Sequence, residues 1–290
     1  MGAPRRAAVL GSPVAHSLSP VLHGAAYAAL GLSGWTYERR ECTAEELPGL
    51  VDGLDGAWVG LSVTMPGKKA ALAYAMTAST RAHRLGVANT LVRTDAGWAA
   101  DCTDVDGIAG ALRAAGIVEP APLAAGLHDV VVLGAGATAS AAVGALDEIG
   151  NEDVQLVVRD PARAAETAVV VEAYGMRGLV RTFDRLDEVD LSRARAVVNT
   201  TPAGAVDDAL ADRLVAGVPD HAVVLDAVYH PWPTPLAAAA ARRGLAVATG
   251  LDMLLHQAFG QVEQFTGRSA PRREMHRALV RATGFDVRPP

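Results

Sequence analysis

Lysine occurs only at Lys68 and Lys69 in this chain, and every other basic residue among its 26 Lys and Arg is arginine. A lysine amine can release and recover a proton near neutral pH, which a guanidinium cannot. The pair therefore marks a place where a titratable amine could be used. The plain alternative is two solvated lysines, and composition does not choose between them. A second stretch points to phosphate. Val130–Leu133 reads as a buried strand, Gly134-Ala135-Gly136 as a tight turn, and the run from Ala137 to about Ile149 as a helix, with the small residue Ala139 at the third fingerprint position. Strand, Gly-x-Gly turn and helix open a dinucleotide-binding unit: the glycines let the backbone approach a pyrophosphate, and the helix start offers it free N–H groups. By itself this motif supports only a glycine-rich αβ turn.

The second strand of that unit ends at Val158 and is followed by Arg159, with Arg163 four residues on, at a helix start. A NAD site usually carries an acidic residue here for the ribose 2′-hydroxyl. Two guanidinium groups suit a 2′-phosphate instead, because arginine grips phosphate bidentately. NADP is favoured over NAD. Asp160 is the counter-signal, since a carboxylate there could repel phosphate or hold a NAD ribose.

These residues need a large scaffold, and the chain has one. Its 290 residues, half of them apolar, allow one large domain or two ordinary ones. The net charge of −6 argues against a nucleic-acid surface. Cys42 and Cys102 form no disulfide framework and fit a reducing, cytoplasmic setting. The apolar run after Arg5-Arg6 is too short for a signal peptide, and no run approaches a membrane span. The acidic group Asp101, Asp104 and Asp106 with Gly107 has the wrong spacing for a calcium loop, and no H-x-x-x-H pair occurs, so no metal is expected.

The periodicities give strands at Ala7–Gly11, Trp35–Arg40 and Trp58–Val63 and helices at Pro20–Leu30, Ala44–Leu54 (capped by Thr43) and Lys68 to about Ala78. Ser19 is placed to cap the first helix, with Pro20 as its first residue. Val87–Thr94 and Gly97–Ala100 form a hairpin around Asp95-Ala96. Thr103–Asp106 resembles a capping box that starts a helix over Val105–Ala115. The proline-bearing stretch 116–128 reads as a connection between lobes. From Asp129 strands and helices alternate, with further strands at Val154–Val158, Leu179–Thr182, Ala196–Asn199, Val223–Asp226 and Leu245–Thr249, which predicts a doubly wound parallel sheet. Leu251, Leu254, Leu255, Ala258, Val262 and Phe265 then share one helical face, and Arg272–Thr283 is a last helix.

Eight short strings, in order along the chain, together resemble the shikimate dehydrogenase family. They are Gly11-Ser12-Pro13 with His16-Ser17-Leu18-Ser19-Pro20, Ser62-Val63-Thr64-Met65-Pro66-Gly67-Lys68, Ala88-Asn89-Thr90-Leu91, Thr103-Asp104, Gly134-Ala135-Gly136, Asn199-Thr200-Thr201-Pro202, Asp226-Ala227-Val228-Tyr229, and Gly250-Leu251-Asp252-Met253-Leu254-Leu255-His256-Gln257. The resemblance implies an α/β protein with an N-terminal substrate lobe (1–104 and 250–290) facing a Rossmann-like NADP-binding domain (105–249), with the active site in the cleft between them. It implies NADP-linked interconversion of 3-dehydroshikimate and shikimate. The expected partner is the small-molecule substrate, with no nucleic acid, membrane or metal, in a monomer or homodimer.

Position by position, the resemblance makes Lys68 and Asp104 the acid–base pair and Ser17 and Ser19 the carboxylate-binding serines. Thr64, Lys68, Asn89, Asp104, Tyr229 and Gln257 become contacts to the substrate. Gly134, Ala135, Gly136, Ala137, Thr138, Arg159, Arg163, Ala227, Gly250 and Met253 fall on the cofactor side. Three departures stand out. Ser62 and Cys102 occupy positions where many members carry Asn, and Val158 one where an Asn often precedes the arginine. Cys102 lies two residues before Asp104 and exchanges a hydrogen-bonding amide for a poor donor.

The reaction can be checked against the residues independently. Alcohol oxidation by hydride transfer needs a group to take the hydroxyl proton, and ketone reduction needs one to return it. A lysine does both if its pKa is tuned toward working pH, and a neighbouring carboxylate would raise that pKa, so desolvation has to oppose it. Rival readings are a quinate or aminoshikimate dehydrogenase of the same family, possibly NAD-using, and a nucleotide sensor that binds NADP(H) without turnover. Gln257 could also be no more than a solvated helix residue.

Overall fold

The computed structural model describes residues 4–117 and 129–290, so the expected connection at 116–128 lies, beyond Ile117, outside the described residues. The chain divides into two compact units, Met1–Gly107 with Leu254–Pro290, and Ile108–Met253.

The first unit opens with β1 (Arg5–Gly11), α1 (Ser19–Ala29), β2 (Trp35–Glu41), α2 (Leu47–Asp52), β3 (Trp58–Val63), α3 (Lys68–Tyr74), β4 (Thr77–Ala78), α4 (Thr80–Leu85), β5 (Thr90–Thr94) and β6 (Gly97–Asp101). Its sheet runs β2-β1-β3-β5-β6-β4. β1 is parallel to β2 and β3, whereas β5 is antiparallel to both β3 and β6. Ala8, Leu10, Trp58, Leu61, Val63, Leu91 and Trp98 fill its core. These directions matter for the site. The C-terminal ends of β1, β3 and β6 and the N-terminal end of β5 all fall on one edge of the sheet.

Several helix bounds differ from the sequence expectation. α3 stops at Tyr74 because Ala75 turns extended and the Met76 amide donates to Trp98 O (2.8 Å), which draws Thr77-Ala78 into the sheet beside β6. A helix-forming run next to an open strand edge is captured by that edge. α4, which the periodicity missed, is capped by Ser79 Oγ and ends at Gly86 with φ 68°. α2 starts at Leu47 rather than Ala44. Thr43 and Glu46 do form a reciprocal box, but they close a turn before the helix.

α5 (Asp104–Ala114) crosses from the first unit into the second. The second unit then alternates: β7 (Asp129–Leu133), α6 (Ala137–Glu148), β8 (Asp153–Val158), α7 (Ala165–Ala173), β9 (Arg177–Thr182), β10 (Ala194–Asn199), α8 (Asp208–Gly217), β11 (Val223–Asp226), α9 (Pro235–Arg242) and β12 (Ala246–Thr249). All its strands are parallel, in the order β12-β11-β10-β7-β8-β9. The order reverses at β7, which gives the doubly wound sheet expected and puts a topological switch point at the β7 and β10 ends. Val131, Leu133, Val197, Val224, Leu214 and Leu236 pack its core.

α10 (Gly250–Thr266) returns the chain to the first unit, and α11 (Arg272–Thr283) packs on α1. Leu255, Ala258, Val262 and Phe265 are buried along α10, as their spacing predicts. Among the described residues no helix is long and apolar enough to cross a membrane. None of them forms a His, Cys, Asp and Glu cluster that could hold a metal ion.

Candidate active site

The shared sheet edge of the first unit collects the polar residues. Beyond β1 the segment 12–19 is pinned by Arg39, whose Nε donates to Ser17 O at 2.8 Å, and by Glu41, which accepts the Val14 amide at 3.2 Å. Ser19 does not cap α1, contrary to expectation. Leu18 holds the cap position and makes no side-chain bond, and Ser19 lies in the first turn. Its amide donates to Ser17 Oγ (3.3 Å), and its own hydroxyl meets Ser17 Oγ (3.3 Å) and the Tyr37 hydroxyl. Both serines are buried; Ser17 Oγ takes the amide of the first residue of α1, whereas the Ser19 hydroxyl takes no helix amide.

Beyond β3 the chain turns through Thr64-Met65-Pro66-Gly67. Thr64 packs so closely on Gly11 that a Cβ there would lie 2.3 Å from Thr64 Cγ2. Gly67 is the N-cap residue of α3, which places Lys68 at the first helical position. The Ala88 amide bonds Lys68 O (3.0 Å), and Asn89 bridges β3 and β6 through Val63 N→Asn89 O (2.7 Å) and Asn89 N→Asp101 O (3.1 Å). Three segments distant in sequence are thereby brought side by side. Lys68 Nζ donates to Asp104 Oδ2 at 2.6 Å, and Asn89 Nδ2 donates to Asp104 Oδ1 at 2.9 Å. Asn89 is held in turn, since its Oδ1 accepts from Thr103 N (2.8 Å) and Thr90 Oγ1 (2.8 Å). A backbone amide can only donate, so this contact fixes which end of the Asn89 side chain faces Asp104.

The Lys68–Asp104 pair is 13% and 8% exposed. Burial disfavours the Lys68 ammonium, but the Asp104 carboxylate, by charge and hydrogen bond, more than offsets it, and the pKa of Lys68 stands above its ordinary value. The desolvation anticipated from the sequence is present, but it does not bring the amine down toward working pH. Cys102 is fully buried beside this pair, and burial pushes its thiol up to about 12. Asp104 takes its second hydrogen bond from Asn89 and not from the side chain of residue 102.

α10 lays Gln257 along the same group. Its Nε2 donates to Leu254 O (2.9 Å), its Oε1 accepts from Asn89 Nδ2 (3.4 Å), and it is buried rather than solvated. One turn further on, Gln261 was not singled out from the sequence. It is 1% exposed and bonds Ser62, Thr90 and the Asn89 carbonyl. Its only sequence signal is a second glutamine four residues after Gln257, beside the apolar face.

In the second unit the C-terminal strand ends carry the remaining candidates. After β7, Gly134 (φ 101°) passes so near β10's end that a Cβ would stand 2.8 Å from Thr200 Oγ1. Gly136 precedes α6 with no side-chain cap and with open space where a Cβ would point, which leaves the amides of Ala137 and Thr138 at a bare helix start. After β8, Arg159 and Arg163 are both exposed. Asp160, the counter-signal for NADP, accepts from Ala162 N (3.0 Å) and so caps the short helix that carries Arg163. After β11, buried Asp226 accepts from Asn199 Nδ2 (3.0 Å), Val228 N (3.1 Å) and Thr234 Oγ1 (2.6 Å), which fixes the segment bearing Ala227 and Tyr229. Gly250 lies against that segment, since a Cβ there would fall 2.3 Å from Ala227 O and 3.2 Å from Tyr229 Cδ1. Met253 follows one turn later, largely buried.

Comparison with known proteins points to one family. The shikimate dehydrogenase substrate binding domain family matches residues 9–91, and the shikimate 5'-dehydrogenase C-terminal domain family matches residues 250–280. A Thermus thermophilus shikimate dehydrogenase (NADP(+)) is 37% identical over 279 residues, 96% of this chain and 99% of that protein. The crystal structure of Mycobacterium tuberculosis shikimate dehydrogenase superposes with a TM-score of 0.86 at 49% identity, covering 96% of this chain and 100% of that one. The Thermus thermophilus enzyme in complex with NADP(H) and shikimate gives 0.80 at 35% identity, covering 96% and 99%. Quinate dehydrogenase from Corynebacterium glutamicum in complex with NAD gives 0.81 at a lower 27% identity, covering 97% and 100%. The chain belongs to the shikimate dehydrogenase family.

Proposed function

We propose that this protein is an NADP-dependent oxidoreductase that reduces 3-dehydroshikimate to shikimate, with Lys68 and Asp104 as its acid–base pair. The observation that carries the reading is the Lys68–Asp104 ion pair at 2.6 Å, braced by Asn89, in the unit matched by the substrate binding domain. The relatives' names and the NADP(H)–shikimate complex of the Thermus thermophilus enzyme supply substrate and cofactor.

Bound NADPH supplies a hydride to the carbonyl carbon. Lys68, charged in its pair with Asp104, donates a proton to the carbonyl oxygen as that oxygen becomes an alcohol, and is reprotonated from water. In the oxidative direction the neutral amine takes the hydroxyl proton. Asp104 holds the amine and a ring hydroxyl in one geometry and favours the ammonium, which suits the reductive direction at neutral pH. Ser17 and Ser19 donate their hydroxyls to the substrate carboxylate, and Thr64, Asn89, Gln257 and Tyr229 contact the ring. On the cofactor side the bare start of α6, with Gly134, Ala135, Gly136, Ala137 and Thr138, takes the pyrophosphate. Arg159 and Arg163 take the 2′-phosphate, and Ala227, Gly250 and Met253 line the nicotinamide end.

A steady-state assay with shikimate and quinate, each with NADP and NAD, tests this. Shikimate with NADP is expected to give the highest kcat/KM. Preference for quinate with NAD makes the protein the family's other activity, and tight NADP(H) binding without turnover of either acid removes the enzymatic reading.

A further inference from the structure

We propose that Gln261 is a positioning residue that joins the serine pair at the end of β1 to the Asn89 amide bracing Asp104, so that both ends of the substrate unit's polar site are held by one carboxamide. This rests on the proposed function only for what the site does, because the connection itself is geometric.

An unbroken run of hydrogen bonds leads from Tyr37 to Gln261, and the serine pair lies against its start. Ser17 Oγ donates to Ser19 Oγ at 3.3 Å, Ser19 lies beside the Tyr37 hydroxyl, Tyr37 donates to Ser62 Oγ at 2.7 Å, and Ser62 donates to Gln261 Oε1 at 2.6 Å. From the other end of the carboxamide, Gln261 Nε2 donates to Thr90 Oγ1 (3.1 Å) and to Asn89 O (3.2 Å). Thr90 Oγ1 then donates to Asn89 Oδ1, and Asn89 Nδ2 to Asp104 Oδ1. Gln261 is the only member of this chain from α10 and the only one that reaches both halves. Both of its polar ends are taken up by protein groups, so it acts through them. His23 adds a further contact at 3.4 Å from Gln261 Oε1 and stacks on Tyr37 with ring centroids 3.9 Å apart. A fully connected buried network restricts each member to one orientation, whereas a network missing one link leaves buried groups unsatisfied and free to re-pair. Asn89 is the member with the most to lose, because its amide donates both to Asp104 Oδ1 (2.9 Å) and to Thr103 Oγ1 (3.0 Å), and a turned carboxamide would present its oxygen to the carboxylate.

The test reads the ion pair directly. Because the chain has two lysines, lysine-selective 15N labelling gives two ammonium signals, and Lys69→Arg assigns them. In Gln261→Leu, which removes both ends of the carboxamide at similar volume, the Lys68 ammonium protons are expected to exchange with water about fivefold faster at neutral pH through local opening. Thr90→Val cuts the same chain one link later and serves if the leucine variant does not fold. It is expected to match Gln261→Leu, and the double variant to add less than the sum of the two. Parent-like Lys68 exchange in these variants, whatever the change in Tm, overturns the proposal, since a merely structural glutamine would alter stability alone. The exchange readout needs no turnover. A parent protein inactive on shikimate overturns the proposed function and leaves this result standing. In an active parent, both variants are expected to lower kcat about tenfold with the KM for NADP unchanged, and a parent-like kcat overturns the link to the reaction.

Discussion

Lys68 Nζ lies 2.6 Å from Asp104 Oδ2 although the two residues are 36 positions apart, one opening the helix after β3 and the other the helix after β6. The contact exists because β5 inserts antiparallel between those two strands, which returns both helix starts to the same edge of the sheet.

Lys68→Met is expected to lower kcat by at least about 100-fold, the scale of a lost general acid. Cofactor affinity, measured by fluorescence titration of NADPH, should be unchanged. The variant also leaves the buried Asp104 carboxylate with Asn89 as its remaining partner, so chemical denaturation should show a loss of about 3 kcal/mol. Turnover near that of the parent would remove Lys68 from the chemistry.

Arg159→Ala and Arg163→Ala should each raise the KM for NADP while leaving that for NAD within about twofold, and the pair together should cost about 100-fold in kcat/KM for NADP, as expected for losing charge-assisted bonds to a phosphate. Equal losses for both cofactors would assign the arginines to something other than the 2′-phosphate.

Gly250→Ala should be far more damaging than its size suggests. The added Cβ would fall 2.3 Å from Ala227 O, a backbone atom fixed by the Asn199–Asp226–Thr234 cluster. A stability loss of about 2 kcal/mol and weakened NADPH binding are expected. Gly24→Ala, where a Cβ meets nothing, is the control for a tolerated site.

His23 gives the protein an acid sensitivity of known sign. Burial holds its pKa down to about 3 from 6.5, with the Gln261 hydrogen bond opposing. The unfolded chain therefore binds a proton in this range that the native protein does not. The stability contribution is complete above pH 6.5 and is lost as pH falls toward 3, at about 1.4 kcal/mol per pH unit. His23→Phe, which keeps a ring against Tyr37, should flatten that slope in urea titrations between pH 6 and 4. An unchanged slope would mean another group takes up the proton.

Much of this site was legible because strand and turn chemistry are local. The Gly134 turn, the arginines after Val158 and the return helix bearing Gln257 are each written within a few residues. Some readings failed where a neighbouring strand decided. Thr77-Ala78 reads as helix and became an edge strand, because Trp98 O was available to the Met76 amide. Ser19 reads as a cap, yet Leu18 took that position and the serine turned to Ser17 and Tyr37. Gln261 gave almost no local signal, since a glutamine beside an apolar helical face looks the same whether it meets water or a buried hydroxyl.

By itself the sequence determined the inventory: one titratable amine pair in an arginine-rich chain, a glycine-rich turn of the kind that opens a dinucleotide-binding unit, basic residues suited to NADP, and strings ordered as in one family. The tertiary structure decided which groups meet and in what state. It paired Lys68 with Asp104, turned Asn89 toward that carboxylate, employed Asp160 as a cap, and raised the Lys68 pKa where desolvation alone would have lowered it. The physical reason is that residue type and spacing fix local backbone geometry, whereas hydrogen-bond partners and the balance between burial and charge depend on atoms brought together by strand order, which no short stretch of sequence contains.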